Sequence, residues 1–228
     1  MFKYIVAAKN EEKLKTCFMA NYKEGERRTL SVVRDSAALD SIAKKYNSAI
    51  GKPDEISDED VFVFVHEDVK LPRDLDGMEK FLLDKAKTYG IVGVIGNKLN
   101  VGENWGLCPP ELSAGAVVLK NAEGKLYRFF KGDDAEVAVV DGLFLSCSAA
   151  LIKAFPEGLF DERIPGYHAY DSCVCLRARS KGFKVLAAEI PELFHDSTNK
   201  YPFEYIHSIA EFNNLYRDYL PDFCGERK

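Results

Sequence analysis

The sequence predicts an α/β fold in which a mostly parallel central sheet is flanked by helices, with a small antiparallel insertion. Three observations support this prediction. Short runs of apolar residues alternate with segments whose apolar residues recur at helical spacing. Most connections between these runs are long enough to hold a helix, as parallel neighbours require. One pair of runs near residue 120 is joined instead by a short turn, which favours antiparallel pairing.

The first part of the chain contains predicted strands rich in β-branched and aromatic residues, at 4–8, 28–33, 61–65 and 91–96. Helical patterns follow the first three of them, at 11–22, 36–50 and about 74–88. The helix over 36–50 has its apolar residues on one face, namely Leu39, Ile42, Ala43, Tyr46 and Ile50. Strands separated by helices of this length indicate βαβ units.

The second part of the chain changes character. "AGAVVLKNAEGKLYRFF" predicts two antiparallel strands joined by a turn at Asn121 to Gly124. The run over 135–151 resumes the buried pattern. "YDSCVCLRARSKG" predicts a helix that stops at Gly182 and leads into a strand over 183–190. An amphipathic segment at about 202–220 ends the pattern.

The chain is predicted to be one domain over residues 1–228. Its 228 residues, of which 46% are hydrophobic, suffice for one sizeable core, and no internal repeat or linker divides them. Within that domain we expect a nucleotide-binding half over about 1–100, an acceptor and catalytic half over about 101–200, and a C-terminal helical segment over about 201–228.

Charge and composition exclude several functional classes. A net charge of -5 argues against binding to nucleic acid, which depends on dense Lys and Arg. No apolar stretch approaches the roughly 20 residues of a transmembrane helix, and the N-terminus becomes charged too early for a signal peptide. A cytoplasmic protein with reduced thiols is therefore expected. Cys173 and Cys175, two residues apart on a predicted helix, point too far apart to share a metal ion.

The strand in "VFVFVHEDVKLP" ends abruptly in the ionisable residues His66, Glu67 and Asp68. In open α/β sheets, ligands bind beyond the carboxyl ends of the strands. An imidazole and a carboxylate two positions apart favour a site for a divalent cation and phosphate. The alternative is structural: an acidic residue that caps the following turn, and a histidine that only packs.

Five segments together form a specific pattern by their order and spacing: "AKKYNSAIG", "DVFVFVHEDVKLP", "VDGLFLSCSAALI", "FDERIPGYHAYDSCVCLRARSKGFKV" and "ELFHDS". Together they resemble the family-2-like glycosyltransferases of the A-type nucleotide-sugar fold, in particular the bacterial branch whose DxD-like motif reads H-x-D-V. The resemblance implies inverting, metal-dependent transfer of a sugar from a nucleotide-sugar donor, such as a UDP-sugar. It implies a saccharide or a lipid-linked saccharide as acceptor.

The resemblance also implies a metal site. "HED" stands in the place of the DxD motif, so that Asp68 would bind the Mn²⁺ or Mg²⁺ that bridges the donor diphosphate. His66 takes the first acidic position. It favours Mn²⁺ over Mg²⁺, because an imidazole is a better ligand for Mn²⁺ than for Mg²⁺. His195 in "FHDS" matches an occasional further ligand of the family, although a histidine that merely caps a strand end is an equal alternative.

The same comparison places the catalytic base at Asp171, which would take the proton from the acceptor hydroxyl. Alternatively, Asp171 only stabilises the start of the helix, as an N-cap or first-turn carboxylate that the helix dipole favours. Two neighbours depart from the family pattern: Tyr170 replaces a glutamate, and Cys173 replaces the next acidic residue. Both changes are expected to affect contacts with the acceptor.

The donor pocket is expected after the second strand. Asp35 would accept a hydrogen bond from the nucleobase or the ribose, while Ser36 either joins that pocket or caps the next helix. Ala7 and Asn10 mark the end of the first strand, which would form the floor of the pocket.

The acceptor side is expected around Asp141 and Gly142, which fall where the family has a D-G element. Trp105, the only tryptophan, would stack on a sugar face or serve packing alone. Tyr170 belongs to the same side.

Two other functional classes stay open. A nucleotidyltransferase would share the sheet and the acidic residues, but no glycine-rich phosphate loop followed by lysine occurs. A non-catalytic module that binds a carbohydrate or nucleotide-sugar would keep the fold without turnover. The C-terminal amphipathic segment would pack on the core, contact a second subunit in an oligomer, or dock weakly at a membrane surface.

Overall fold

The structure is a computed structural model that describes residues 1–120, 123–196 and 203–224, apart from the side chains of residues 103, 104, 130, 131, 203 and 204. The helices are α1 Glu11–Thr16, α2 Phe18–Asn21, α3 Ile42–Ile50, α4 Leu75–Lys85, α5 Ala149–Lys153, α6 Tyr170–Ser180 and α7 Phe203–Tyr216. The strands are β1 Phe2–Ala8, β2 Arg28–Arg34, β3 Val61–His66, β4 Val69–Lys70, β5 Ile91–Gly93, β6 Ile95–Asn97, β7 Leu99–Asn100, β8 Ser113–Lys120, β9 Leu126–Gly132, β10 Ala135–Val137, β11 Val139–Val140, β12 Phe144–Ser148, β13 Val185–Ala187, β14 Phe194–His195 and β15 Asp222–Phe223.

The central sheet has the strand order β10-β13-β5-β12-β3-β1-β2. Strand β1 pairs in parallel with both β2 and β3, and β13 pairs in parallel with β5. Strand β12 runs antiparallel between β3 and β5, and β10 runs antiparallel at the edge. Five of the seven strands therefore run in one direction. The predicted α/β fold with a mostly parallel sheet is confirmed.

A second sheet, with the order β11-β6-β8-β14-β4, stands beside the first, and β9 pairs with β8 in it. The predicted antiparallel insertion is the β8–β9 pair, although residues 121 and 122 of its turn lie outside the described residues. Strand β14 pairs in parallel with β8 and antiparallel with β4, with His195 opposite Val69. This pairing brings the segment around residue 195 to the end of β3.

Several predicted boundaries are wrong for local reasons. The predicted strand over 91–96 is divided between the two sheets at Val94, because β5 joins the central sheet and β6 joins the second. Close approach requires glycines here: a Cβ on Gly93 would overlap Val140, and Gly115 packs against the backbone of Val94 at φ 78°. The run over 135–151 likewise divides into three strands and α5.

The predicted helices are shorter than their patterns. The segment over 11–22 divides into α1 and α2 at Cys17, whose φ of -106° and ψ of -83° are not helical. Helix α3 begins only at Ile42, where the side chain of Ser41 accepts from the Lys44 amide. The helix-cap alternative for Ser36 is therefore wrong, since its hydroxyl instead closes a turn by accepting from the Leu39 amide at 3.2 Å.

The main core lies on both faces of the central sheet. The five residues of "VFVFV" in β3 are at most 1% exposed, which explains their uninterrupted apolar character. A smaller core joins α6 to α7 and contains Cys173, whereas Cys175 packs in the main core. The two thiols therefore face opposite ways, as their spacing predicts. Among the described residues, no helix combines the length and the hydropathy needed to cross a bilayer.

Candidate active site

The end of β3 is fixed to the end of β1 by Glu67. A carboxylate oxygen of Glu67 accepts a hydrogen bond from the Asn10 amide at 2.9 Å and another from the Lys9 amide. Burial raises the pKa of Glu67 against the effect of these two bonds. The middle residue of "HED" therefore joins two strand ends, while its two neighbours point elsewhere.

The side chains of His66, Asp68 and His195 form a cluster beside this junction. Their candidate ligand atoms lie within 4.8 Å of one another, and Asp68 Oδ1 is 3.3 Å from His195 Nε2. Burial alone would raise the pKa of Asp68. The hydrogen bond and charge of His195, together with the charges of His66 and Lys13, outweigh burial and lower this pKa to about 2. Asp68 is thus ionised at neutral pH.

This cluster fits a divalent cation. Two imidazoles and one carboxylate are donors that Mn²⁺ accepts, whereas Mg²⁺ prefers oxygen alone. Atoms that each lie about 2.1 Å from one ion are at most about 4.2 Å apart. Donor atoms that lie within 4.8 Å of one another would therefore have to move closer for all three to bind one ion. The strand end and the β4–β14 pairing bring them together from positions distant in sequence.

Asp171 lies in the first turn of α6 and is 9% exposed. Its Oδ2 accepts from the Gly142 amide at 3.1 Å, and its Oδ1 accepts from the Ser172 amide at 2.8 Å. Burial, followed by the negative charge of Asp141, raises the pKa of Asp171 to about 7. Ala169, with φ 60°, occupies the N-cap position instead of Asp171.

A cleft of about 420 Å³ is lined by two members of the cluster, His66 and His195, and by Asp171, while Asp68 is not among its lining residues. Of the residues predicted for the site, it is lined by His66, Trp105, Asp141, Gly142, Tyr170, Asp171 and His195. Trp105 is 8% exposed and also packs in the main core. The cleft also has an apolar wall from β8 and β9, which includes Tyr127 and Phe129.

A neighbouring cavity of about 520 Å³ contains Asp35 and Ser36. The carboxylate of Asp35 is 49% exposed, and its Oδ1 is held by the ammonium of Lys45 and the hydroxyl of Tyr167. Lys45 itself is fully buried. Burial opposes ionisation of Asp35, but the bonds from Lys45 and Tyr167 outweigh it and lower the pKa.

Ala7 and Asn10 have mainly structural contacts. Ala7 is buried in the main core and pairs with Val33 and His66 across the sheet. Asn10 caps α1, because its Oδ1 accepts from the Glu12 amide at 3.0 Å and the Lys13 amide at 3.1 Å. The residue between them in the chain that lines the cavity is Lys9, whose ammonium lies 3.7 Å from the ring centre of Tyr167.

Several residues that line the two cavities are not predicted from the sequence: Lys9, Tyr167, His168, Tyr205 and His207. Tyr167 and His168 lie within the quoted "GYHAYD" segment, so their position next to Asp171 was a usable signal. Tyr205 and His207 come from α7, beyond the last of the resembling segments.

The profile of a family described as "Glycosyltransferase like family" matches residues 3–212 of this chain. The chain belongs to this glycosyltransferase-like family. Solved structures of S. aureus TarS share its fold: TarS 1-349 gives a TM-score of 0.54 at 14% identity, covering 96% of this chain and 72% of TarS 1-349. Its complex with UDP-GlcNAc gives 0.54 at 13% identity, covering 93% and 66%.

The chain is also similar to the longer S. aureus TarS structure, with a TM-score of 0.52 at 14% identity, and spans 38% of that chain's length. Identities this low show a shared fold alone. Comparison with curated proteins gave no sequence match. The predicted family and the predicted A-type glycosyltransferase fold are confirmed, while the H-x-D-V assignment remains a prediction.

Proposed function

We propose that this glycosyltransferase-like chain transfers a sugar, with inversion, from a nucleotide-sugar donor to a saccharide or lipid-linked saccharide acceptor. The observation that carries this proposal is one cleft lined by His66 and His195, which form a cluster with Asp68, and by Asp171, a buried carboxyl of raised pKa. A UDP-sugar is the proposed donor, because the S. aureus TarS structures of the same fold include complexes with UDP-GlcNAc and UDP.

In this proposal, His66, Asp68 and His195 hold Mn²⁺ or, with weaker preference, Mg²⁺. When bound, such a cation offsets the negative charge that develops on the departing nucleoside diphosphate. The ionised state of Asp68, with its pKa near 2, keeps a charged ligand available throughout the neutral range.

Asp171 is the proposed general base. Its carboxylate would accept the proton of the acceptor hydroxyl as that oxygen attacks the anomeric carbon opposite the leaving group. The amides of Gly142 and Ser172 orient the two carboxylate oxygens. A pKa of about 7 suits a base that must bind and release a proton near neutrality.

The remaining residues are proposed to bind the substrates. Asp35, half exposed in its cavity, would accept from the nucleobase or ribose, with Ser36 beside it. Asp141 and Gly142 would face the acceptor, and the buried indole of Trp105 would contribute to an aromatic wall. Sugar rings pack their C–H faces on such apolar surfaces.

The test begins with thermal unfolding in the presence of UDP and UDP-sugars, with and without Mn²⁺. A ligand that binds only the native state raises the melting temperature according to its concentration and affinity. We expect Mn²⁺-dependent stabilisation by UDP in the wild type and its loss in Asp68→Asn. Asp84→Asn is a matched control, because Asp84 is an exposed acidic residue that bonds Lys87 on the surface of α4.

Hydrolysis of the stabilising UDP-sugar then separates an enzyme from a binding module. Slow Mn²⁺-dependent release of the free sugar supports the glycosyltransferase. Donor binding without release or transfer would support the non-catalytic module. If neither UDP nor any UDP-sugar stabilises the wild type, the proposed donor is wrong.

A further inference from the structure

The hydroxyl of Tyr170 lies between the proposed metal site and the loop that holds the proposed base. Tyr170 begins α6 and is 4% exposed. Its ring packs against Tyr46 and Phe160, with ring centres 6.0 and 6.2 Å away. Its hydroxyl donates to the Gly142 carbonyl at 2.7 Å and lies 2.6 Å from His66 Nε2. Packing and hydrogen bonds thus fix this phenol.

The directions of the two hydrogen bonds determine where the His66 proton lies. A carbonyl oxygen can only accept, so the single phenol proton of Tyr170 is directed at Gly142. With that proton directed at Gly142, the 2.6 Å contact with His66 is a hydrogen bond only if Nε2 carries a proton that the Tyr170 oxygen accepts. A neutral imidazole protonated on Nε2 has its lone pair on Nδ1, the only nitrogen then able to bind a cation.

We propose that Tyr170 is a positioning residue of the metal site, which holds His66 in the Nε2–H form and leaves the lone pair of Nδ1 available to bind the cation. This inference rests on the proposed metal-dependent function. It also changes the expected role of Tyr170 from an acceptor contact to a partner of His66. Two of the departures from the family motifs, the histidine in the DxD position and the tyrosine before the proposed base, are in direct contact with each other.

The Gly142 peptide adds support for this role. Its carbonyl accepts from Tyr170, and its amide donates to Asp171. A Cβ on residue 142 would overlap the phenol of Tyr170. The Gly142 peptide therefore binds both Tyr170, the partner of His66, and Asp171, the proposed base. The proposed metal site and the proposed base are thus positioned by the same peptide.

The first measurement concerns the metal-free full chain and needs no activity. The ¹⁵N chemical shifts of an imidazole distinguish its Nε2–H and Nδ1–H forms, and the chain has only four histidines. His66→Ala assigns the signal of His66 by its disappearance. We expect the Nε2–H form in the wild type at pH 8 and loss of this preference in Tyr170→Phe.

The second measurement is the Mn²⁺ affinity of the same proteins, followed by electron paramagnetic resonance of the free ion. Loss of a partner that orients a metal-binding histidine typically weakens binding by about 10- to 100-fold. We expect a weakening of this size in Tyr170→Phe. Tyr216→Phe is the control: its hydroxyl also makes a buried bond of 2.6 Å, but to Asp161 beside the smaller core. It should bind Mn²⁺ like the wild type.

The possible outcomes lead to distinct conclusions. An Nδ1–H form of His66 in the wild type overturns the inference without any variant, even if Tyr170→Phe fails to fold. Unchanged Mn²⁺ affinity in a folded Tyr170→Phe also overturns it and leaves the proposed metal site standing. A wild type that binds no Mn²⁺ overturns the metal assignment itself, and with it the role of Tyr170.

Discussion

Opposing influences set the acidity of Asp171. Burial and the neighbouring charge of Asp141 favour the neutral carboxyl, whereas the Gly142 and Ser172 amides favour the carboxylate. Burial prevails, and the pKa rises to about 7. Such a carboxyl is divided between its two forms near neutral pH, which suits a general base and is unfavourable for stability.

The catalytic consequence is tested with Asp171→Asn. The amide keeps the shape of the side chain but cannot accept the acceptor's proton, and loss of a general base typically lowers the rate by about 10² to 10⁴. We expect that loss in the transfer rate with little change in UDP affinity. The wild-type rate should rise with pH through about 7. Transfer at the wild-type rate by Asp171→Asn would exclude this base.

The stability consequence has a definite sign. The native pKa of Asp171 is raised from its ordinary 3.8 to about 7, so between these values the native state binds more protons than the unfolded state. The contribution of Asp171 to stability therefore falls as pH rises. In urea unfolding, the free energy of unfolding of Asp171→Asn should rise relative to that of the wild type between pH 5 and pH 8. Asp84→Asn should show no such gain, and an equal response of the two variants would contradict the raised pKa.

At this scale, the sequence predicts residues that mark strand and helix ends and misses those defined by distant partners. His66, Asp68 and Asp171 stand next to strong apolar or helical patterns. Lys45 illustrates the opposite case: a lysine on an amphipathic helix suggests a solvated side chain, yet it is fully buried against Asp35. No local pattern says that Tyr167 would come to the same carboxylate.

The turn between β11 and β12 is the element that assembles the site. The Asp141 carboxylate accepts from the Leu143 amide at 2.9 Å, and Gly142 contacts both Tyr170 and Asp171. The Leu143 carbonyl accepts from the His66 amide at 3.1 Å, which ties the turn to the end of β3. Three residues thus connect the proposed base to the proposed metal ligands.

Gly142→Ala tests this turn. The added methyl group would overlap the phenol of Tyr170, which is buried and held by hydrogen bonds, and overpacking costs about 1 to 3 kcal/mol of unfolding free energy. We expect that loss in urea unfolding, together with weaker Mn²⁺ binding. Gly106→Ala is the control, because a Cβ at that position in the same cleft meets no atom within 4 Å. Equal stabilities of the two variants would show that the turn adapts.

Element type was predictable, but sheet membership was not. Periodicity identifies "IVGVIG" as buried and extended, yet says nothing of the change of sheet at Val94, which depends on contacts with residues 115 and 140. Likewise, the apolar run after residue 134 reads as one buried segment. It divides into three strands because each part pairs with a different strand, and these partners are distant in sequence.

At the scale of the whole molecule, the two predicted halves share one sheet. Strand β12 of the second half lies between β3 and β5 of the first half. Without β12, β3 and β5 have no common neighbour, and both faces of the sheet lose packing. The predicted nucleotide-binding half over about 1–100 is therefore expected to depend on the rest of the chain for its folding.

A fragment of residues 1–100 tests this dependence. We expect it to lack a cooperative thermal transition and to show poor dispersion of its amide NMR signals, because the edge of β3 and much of the core remain uncovered. The full chain, measured in the same buffer, provides the reference. A cooperative transition in the fragment would show that this half folds as an autonomous unit.

The strand order has a consequence for biosynthesis. Strand β3 ends at His66, but its partner β12 begins only at Phe144. At typical ribosomal rates the intervening chain takes on the order of ten seconds to emerge. During that time "VFVFV" exposes an open, uncharged edge of aromatic and β-branched residues, the composition that favours intermolecular β-pairing. The nascent chain is therefore expected to need chaperone protection while residues 67–143 are being made, and its yield on refolding should fall as protein concentration rises.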